Sequence, residues 1–148
     1  MVSYPHNTGG IIDALRTLAS LMSEGSESDL SIGMTAGEAL TAGEAVYINS
    51  TDSKIYKAEN DDTREKATVF GLISADTALG AEEEVIVRGK ATTSTTSLTV
   101  GLEYYLDATS GAITSTAPSA SGDYSVAVGQ AISTTQINVH TRIPVELV

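Results

Sequence analysis

Cysteine is absent from this chain of 148 residues, so neither a disulfide framework nor a thiolate site is available to it. Tryptophan is also missing and phenylalanine occurs once. With Ala, Thr, Ser and Gly dominant, the composition is that of a β protein with many short strands and modest side chains, not of a large-cored enzyme. Cations are scarce: 8 Lys and Arg against 19 Asp and Glu leave a formal net charge of −11. Phosphate binding needs clustered basic residues, and here they are scattered, so nucleic acid is excluded as a partner. An anionic surface repels membranes as well. No run approaches the roughly 20 apolar residues of a membrane-crossing helix. The first ten residues, MVSYPHNTGG, lack the basic start of a secretory signal, and Asp13 and Arg16 interrupt the apolar run behind them. A protein made in the cytosol and left unprocessed is expected. Its length fits one domain, or two of about 50 residues that would be marginal alone.

Reactive motifs are equally scarce. No serine sits in a nucleophile-elbow pattern, and no Gly-rich loop precedes a Lys-Ser or Lys-Thr pair. Asp61-Asp62 and Glu82–Glu84 lack the spacing and central Gly of a calcium loop, and read as solvated runs. His6 and His140 are too isolated to form a pair. The sequence holds no catalytic, cofactor or metal site, and an enzyme is not expected.

What is present is a repeat. Leu40 to Ile55, LTAGEAVYINSTDSKI, is written again without a gap as Leu98 to Ile113, LTVGLEYYLDATSGAI. Identical pairs include Leu40/Leu98, Gly43/Gly101, Tyr47/Tyr105 and Ile55/Ile113, and the same offset carries Gly71 onto Gly129. Self-similarity of this kind is the first thing to seek in a sequence. Each copy reads as a glycine, a short strand with an aromatic residue, a polar five-residue turn and a second strand, which is a hairpin signature. Tyrosines 47, 56, 104, 105 and 124 are the largest apolar bodies and read as core or interface residues with a hydrogen-bonding tip.

Taken in order, residues 1–10 read as an extended arm and residues 11–23 as an amphipathic helix. Ile11, Leu15, Leu18 and Met22 form its stripe, with Ile12 beside it. A helix of about 13 residues is marginal alone, so the stripe must be buried, either on its own β domain or on a neighbouring subunit. Its Gly- and Ser-rich flanks set residues 1–29 apart from a β domain at 30–148, in which the related units span about 40–90 and 98–148. Strands are expected near 30–34, 45–49, 54–58, 68–74, 83–90, 103–107, 112–116, 124–132 and 136–143, with Glu59 to Lys66 a charged loop. About nine short strands at regular spacing predict an all-β barrel or sandwich preceded by one short helix.

The order of these features resembles the capsid cement, or head-decoration, proteins of tailed bacteriophages. The resemblance runs through Ala42–Tyr47, Val69–Ile73, Val85–Val87, Val100–Tyr105, Val128–Ala131 and Ile137–Val139. It implies a non-enzymatic homotrimer on the capsid exterior of the virion, bridging subunits of the major capsid protein without a cofactor. On that reading, Ile11, Ile12, Leu15, Leu18 and Met22 form a subunit or capsid interface. The alternative is a receptor- or glycan-binding β module of a phage tail or surface appendage, for which a concave site ringed by tyrosines is the expected mark.

Overall fold

The computed structural model describes residues 29–148, which are almost entirely β-structure. The strands are β1 (Leu30–Thr35), β2 (Ala45–Ile48), β3 (Ile55–Lys57), β4 (Gly71–Ile73), β5 (Glu82–Thr92), β6 (Glu103–Leu106), β7 (Ile113–Thr114), β8 (Tyr124–Ser125), β9 (Ala127–Ala131), β10 (Gln136–His140) and β11 (Val145–Glu146). A single helical turn, α1 (Arg64–Ala67), separates β3 from β4. Nine strands form one antiparallel sheet in the order β3-β2-β4-β5-β10-β9-β6-β7, with β1 added to β5, while β8 and β11 pair separately.

The sheet curls into a half-barrel around β5. This strand is 11 residues long, and its two halves serve different neighbours. Ile86 lies between Ser31 and Leu72, whereas Arg88 lies between Leu30 and His140. The strand turns from one set of partners to the other at Gly89, whose φ of 103° suits glycine. Asp29 sits over that glycine and accepts the Lys90 N–H at 2.9 Å. Past β1 the chain folds back: Ala36 bridges to Ile55, and the Gly37 N–H reaches the Ile55 carbonyl at 2.8 Å.

The pairing register recurs along the chain. Tyr47 faces Tyr56 and Ile48 faces Ile55; likewise Tyr105 faces Thr114 and Leu106 faces Ile113. Ala45 pairs with Leu72 and Val46 with Gly71, as Glu103 pairs with Gln130 and Tyr104 with Gly129. The Gly43 N–H donates to Ile73 O and the Gly101 N–H to Ala131 O, each at 2.8 Å. Further on, Leu72–Ile86 and Ile73–Val85 correspond to Gln130–Asn138 and Ala131–Ile137. Even β1 has a counterpart. Ser31 and Ile32 lie against Ile86 and Val85 as Lys90 and Ala91, in the second half of β5, lie against Asn138 and Ile137.

Strand alternation divides the apolar side chains between two clusters. Leu40, Val46, Ile55, Ile73 and Val85 fill the inside of the first half. Their counterparts Leu98, Tyr104, Ile113, Ala131 and Ile137 belong to a larger cluster. That cluster also takes in Ala45, Tyr47 and Leu72, which leave the first half on its opposite face.

Several expectations are corrected. The charged loop at 59–66 ends in α1, because the Thr63 hydroxyl accepts the Lys66 N–H at 3.3 Å and caps the turn. The strand expected at 68–74 shrinks to β4, since the Thr68 and Val69 N–H groups close that turn on Glu65 and Ala67. Gly71 therefore opens the strand instead of bisecting it. The last long strand stops at His140, where the Arg142 N–H is diverted to Ala127 O, and Ile143 is 81% exposed instead of sharing the face of Ile137 and Val139. Eleven strands replace the nine expected, mainly because the segment at 124–132 divides and β11 forms.

At Gly71 a Cβ would run into the Ile86 carbonyl, and at Gly129 into the equivalent Asn138 carbonyl. Gly71→Ala and Gly129→Ala should each cost about 1–3 kcal/mol through overpacking against backbone. Thermal melts of the two variants should show comparable losses; a loss in only one would break the equivalence of the two sites.

Candidate functional site

The residues that join the two halves build one region. Ala45 N–H donates to Gly111 O at 2.9 Å, and Gly111 N–H donates to Ala58 O at 2.8 Å. The turn after β6 is thereby clamped onto the outer face of β2 and β3. Asn60 is buried beside it: its N–H donates to Asp107 O at 3.2 Å, its Nδ2 to Leu106 O at 2.8 Å, and its carbonyl accepts from Tyr124 N–H at 2.8 Å. Arg64 lies over the Tyr124 ring and donates to Pro144 O at 3.0 Å. These polar contacts surround the apolar packing of Ala45, Tyr47 and Leu72 and fix its orientation.

Charged groups nearby are committed to local structure. Lys66 pairs with Asp62 and Glu59, and those carboxylates, Asp62 foremost, hold its ammonium well above the usual lysine range. The Ser50 hydroxyl foremost, and the Ser50 N–H donating to Glu65 at 2.7 Å, lower the pKa of that carboxyl. The Tyr56 hydroxyl donates to Asp52, depressing the aspartate and raising the phenol. Among the described residues, no three His, Asp or Glu side chains gather to hold a metal ion. Of the Glu82–Glu84 run, Glu83 accepts from the Ser74 hydroxyl at 3.2 Å.

A concave surface lies on the second half. A groove of about 390 Å³ is lined by Glu103, Gln130, Asn138, His140 and Arg142 around Gly101 and Gly129. Gln130 Nε2 donates to Gly101 O at 2.9 Å, and Arg142 lies 4.0 Å from Glu103. No tyrosine lines it. His140 thus belongs to a polar surface, a placement that reading it as an isolated histidine missed. The pairing of Glu103 with Gln130, seen only in the sheet register, was the signal.

A third feature is β1. Its second edge pairs with no strand among the described residues, and Leu30 and Ile32 on it are 48% and 40% exposed. Ile11, Ile12, Leu15, Leu18 and Met22, the interface expected from sequence, lie outside the described residues. Tyr47 and Tyr105 occupy equivalent register positions, yet Tyr47 is buried and packs against Tyr56 with ring centroids 6.0 Å apart, while Tyr105 is half-buried. Their surroundings differ because only the first is covered by another part of the chain. No protein-family model matches this chain, and no curated protein does.

Replacing Asn60 with Ala should cost about 1–3 kcal/mol by stripping a buried carbonyl of its donor, read as a lower denaturation midpoint with an unchanged slope. Tyr56→Phe should return the Asp52 pKa toward its ordinary 3.8. The depressed carboxyl favours the folded state above that value and loses its effect as pH falls through the lowered pKa. Carboxyl-carbon NMR titration of both proteins would detect the change, and above about pH 6, where Asp52 is ionised in both, the variant's side-chain signal should be flat.

Proposed function

We propose that this protein is a non-enzymatic structural component of a tailed-phage virion, decorating the capsid exterior and bridging subunits of the major capsid protein as a homotrimer. The observation that carries this reading is the β1 edge. An unpaired strand bearing exposed Leu30 and Ile32 is a surface that proteins normally cover. It is reached directly from the segment containing the stripe of Ile11, Leu15, Leu18 and Met22. The two features together make one attachment end. Burying those four stripe side chains is worth about 6–12 kcal/mol before ordering costs. Much of this is offset by fixing the arm, so one arm binds weakly and symmetric association makes several act together. The tyrosine-free groove gives the glycan-binding alternative no stacking surface.

We also propose that the described residues are two related units, about 30–88 and 89–140, placed in tandem and sharing β5. This reading rests on the recurring register and on the matched carbonyl contacts of Gly71 and Gly129. It moves the first boundary from residue 40 to β1. The second unit opens at Gly89, not at 98, because the second half of β5 plays the role of β1.

Deletion of residues 1–28 should leave a folded, soluble β domain that no longer trimerises or binds shells. Asp29 is retained because it accepts the Lys90 N–H. Circular dichroism, light scattering and cosedimentation with assembled capsids test this together. An unfolded fragment would mean that the segment belongs to the core; unchanged trimers bound to shells would mean that it is dispensable.

A further inference from the structure

We infer that the polar groove on the second unit is a cap: a copy of the docking face between the units, altered so that no further unit adds to it. The inference rests on the two-unit reading. On the first unit, Ala45, Leu72 and Ile86 pack into the cluster that joins the halves. Their register counterparts are Glu103, Gln130 and Asn138, and all three line the groove. Each of these three apolar side chains has become a polar one on the bare face, while Tyr47 is matched by another tyrosine, Tyr105. The pairing register is kept at these positions and Gly43 and Gly101 both have positive φ, while β6 carries a register shift between Tyr104 and Tyr105. Their surroundings are not: a Cβ at Gly43 would strike the backbone of Thr93 and Ser94, whereas one at Gly101 would meet nothing within 4 Å.

The unit that would add there is a second copy of this chain, presenting its own turn between β2 and β3. Ser50, Thr51, Asp52 and Ser53 of that turn are exposed, and they correspond in position to the turn that docks at Ala45. Head-to-tail docking of this kind repeats without limit unless the geometry closes or the terminal face refuses it. Glu103, Gln130 and Asn138 would lose water on docking and gain no partner from the apolar pattern they replace. The chain reinforces the refusal beyond β10. There it leaves the sheet at His140 and reaches Pro144, which has no N–H to offer, whereas β5 continues as a strand past its turn at Gly89.

The test is a full-length triple variant, Glu103→Ala with Gln130→Leu and Asn138→Ile, compared with the natural protein by sedimentation and multi-angle light scattering. The variant should self-associate at least about tenfold more tightly, its mass climbing with concentration beyond the natural assembly. Excess natural protein should shorten these assemblies, because it supplies the turn but ends the chain with a polar face. A mass equal to the natural one overturns the cap, as does growth that excess natural protein leaves intact. If the triple variant does not fold, Leu72→Gln carries the test in reverse. Amide exchange at Ala45 should then quicken by at least about tenfold, and unchanged exchange overturns the inference. Unequal effects of Gly71→Ala and Gly129→Ala would remove the two-unit reading itself, whereas an unaltered triple variant with equal glycine effects removes only the cap.

Discussion

The continuity of β5 is the constraint on which the rest of this structure depends. One strand closes the first half of the sheet with Val85 and Ile86, passes Gly89, and opens the second half with Lys90 and Ala91. A break there would leave two sheets of about 50 residues, each too small to bury a sufficient core. Joined, they share the larger cluster, in which the outward side chains of one half become part of the interior of the other. The φ of 103° at Gly89 is what lets a strand change partners without ending.

Given that strand, the choice of side chain on each face decides what each half touches. Val46 and Ile73 point inward and would be apolar in any small barrel. Ala45 and Leu72 point outward and are apolar only because the second half covers them. Polar Asn60, with its main-chain and side-chain bonds to Asp107, Leu106 and Tyr124, gives that contact a single register. Apolar area supplies the attraction; these bonds reject slipped alternatives.

The recurring hairpin register was legible in the sequence because identical residues stand at its places: Tyr47/Tyr105 and Ile55/Ile113 at the strands, Gly43/Gly101 before them. That the recurring register extends back to β1 was hidden. Leu30–Thr35 and Gly89–Thr92 share a structural role but almost no side chains, since one lies on an exposed edge and the other against β10. The turn of α1 was missed because Thr63 lies in a run of charges with no apolar periodicity to mark a helix. The strand ends at His140 and Gly71 were misplaced for one reason: apolar pattern says which residues want burial, not where a backbone N–H is taken by a neighbour outside the strand. The groove was illegible from single motifs, because Glu103, Gln130 and Asn138 are unremarkable until the register sets them beside one another.

The two ends of the described chain manage exposed β-structure in opposite ways. Past β10 the backbone is turned back to pair with Tyr124 and Ser125, and the groove on the second half is lined by polar side chains. At β1 neither device is used. No charged residue stands on Leu30–Thr35, no proline interrupts it, and apolar side chains remain in view along an edge whose N–H and C=O groups have no strand beside them among the described residues. Natural sheets blunt such edges with lysine, proline or a covering segment. Among the described residues, β1 therefore keeps an edge open to pairing with a further strand.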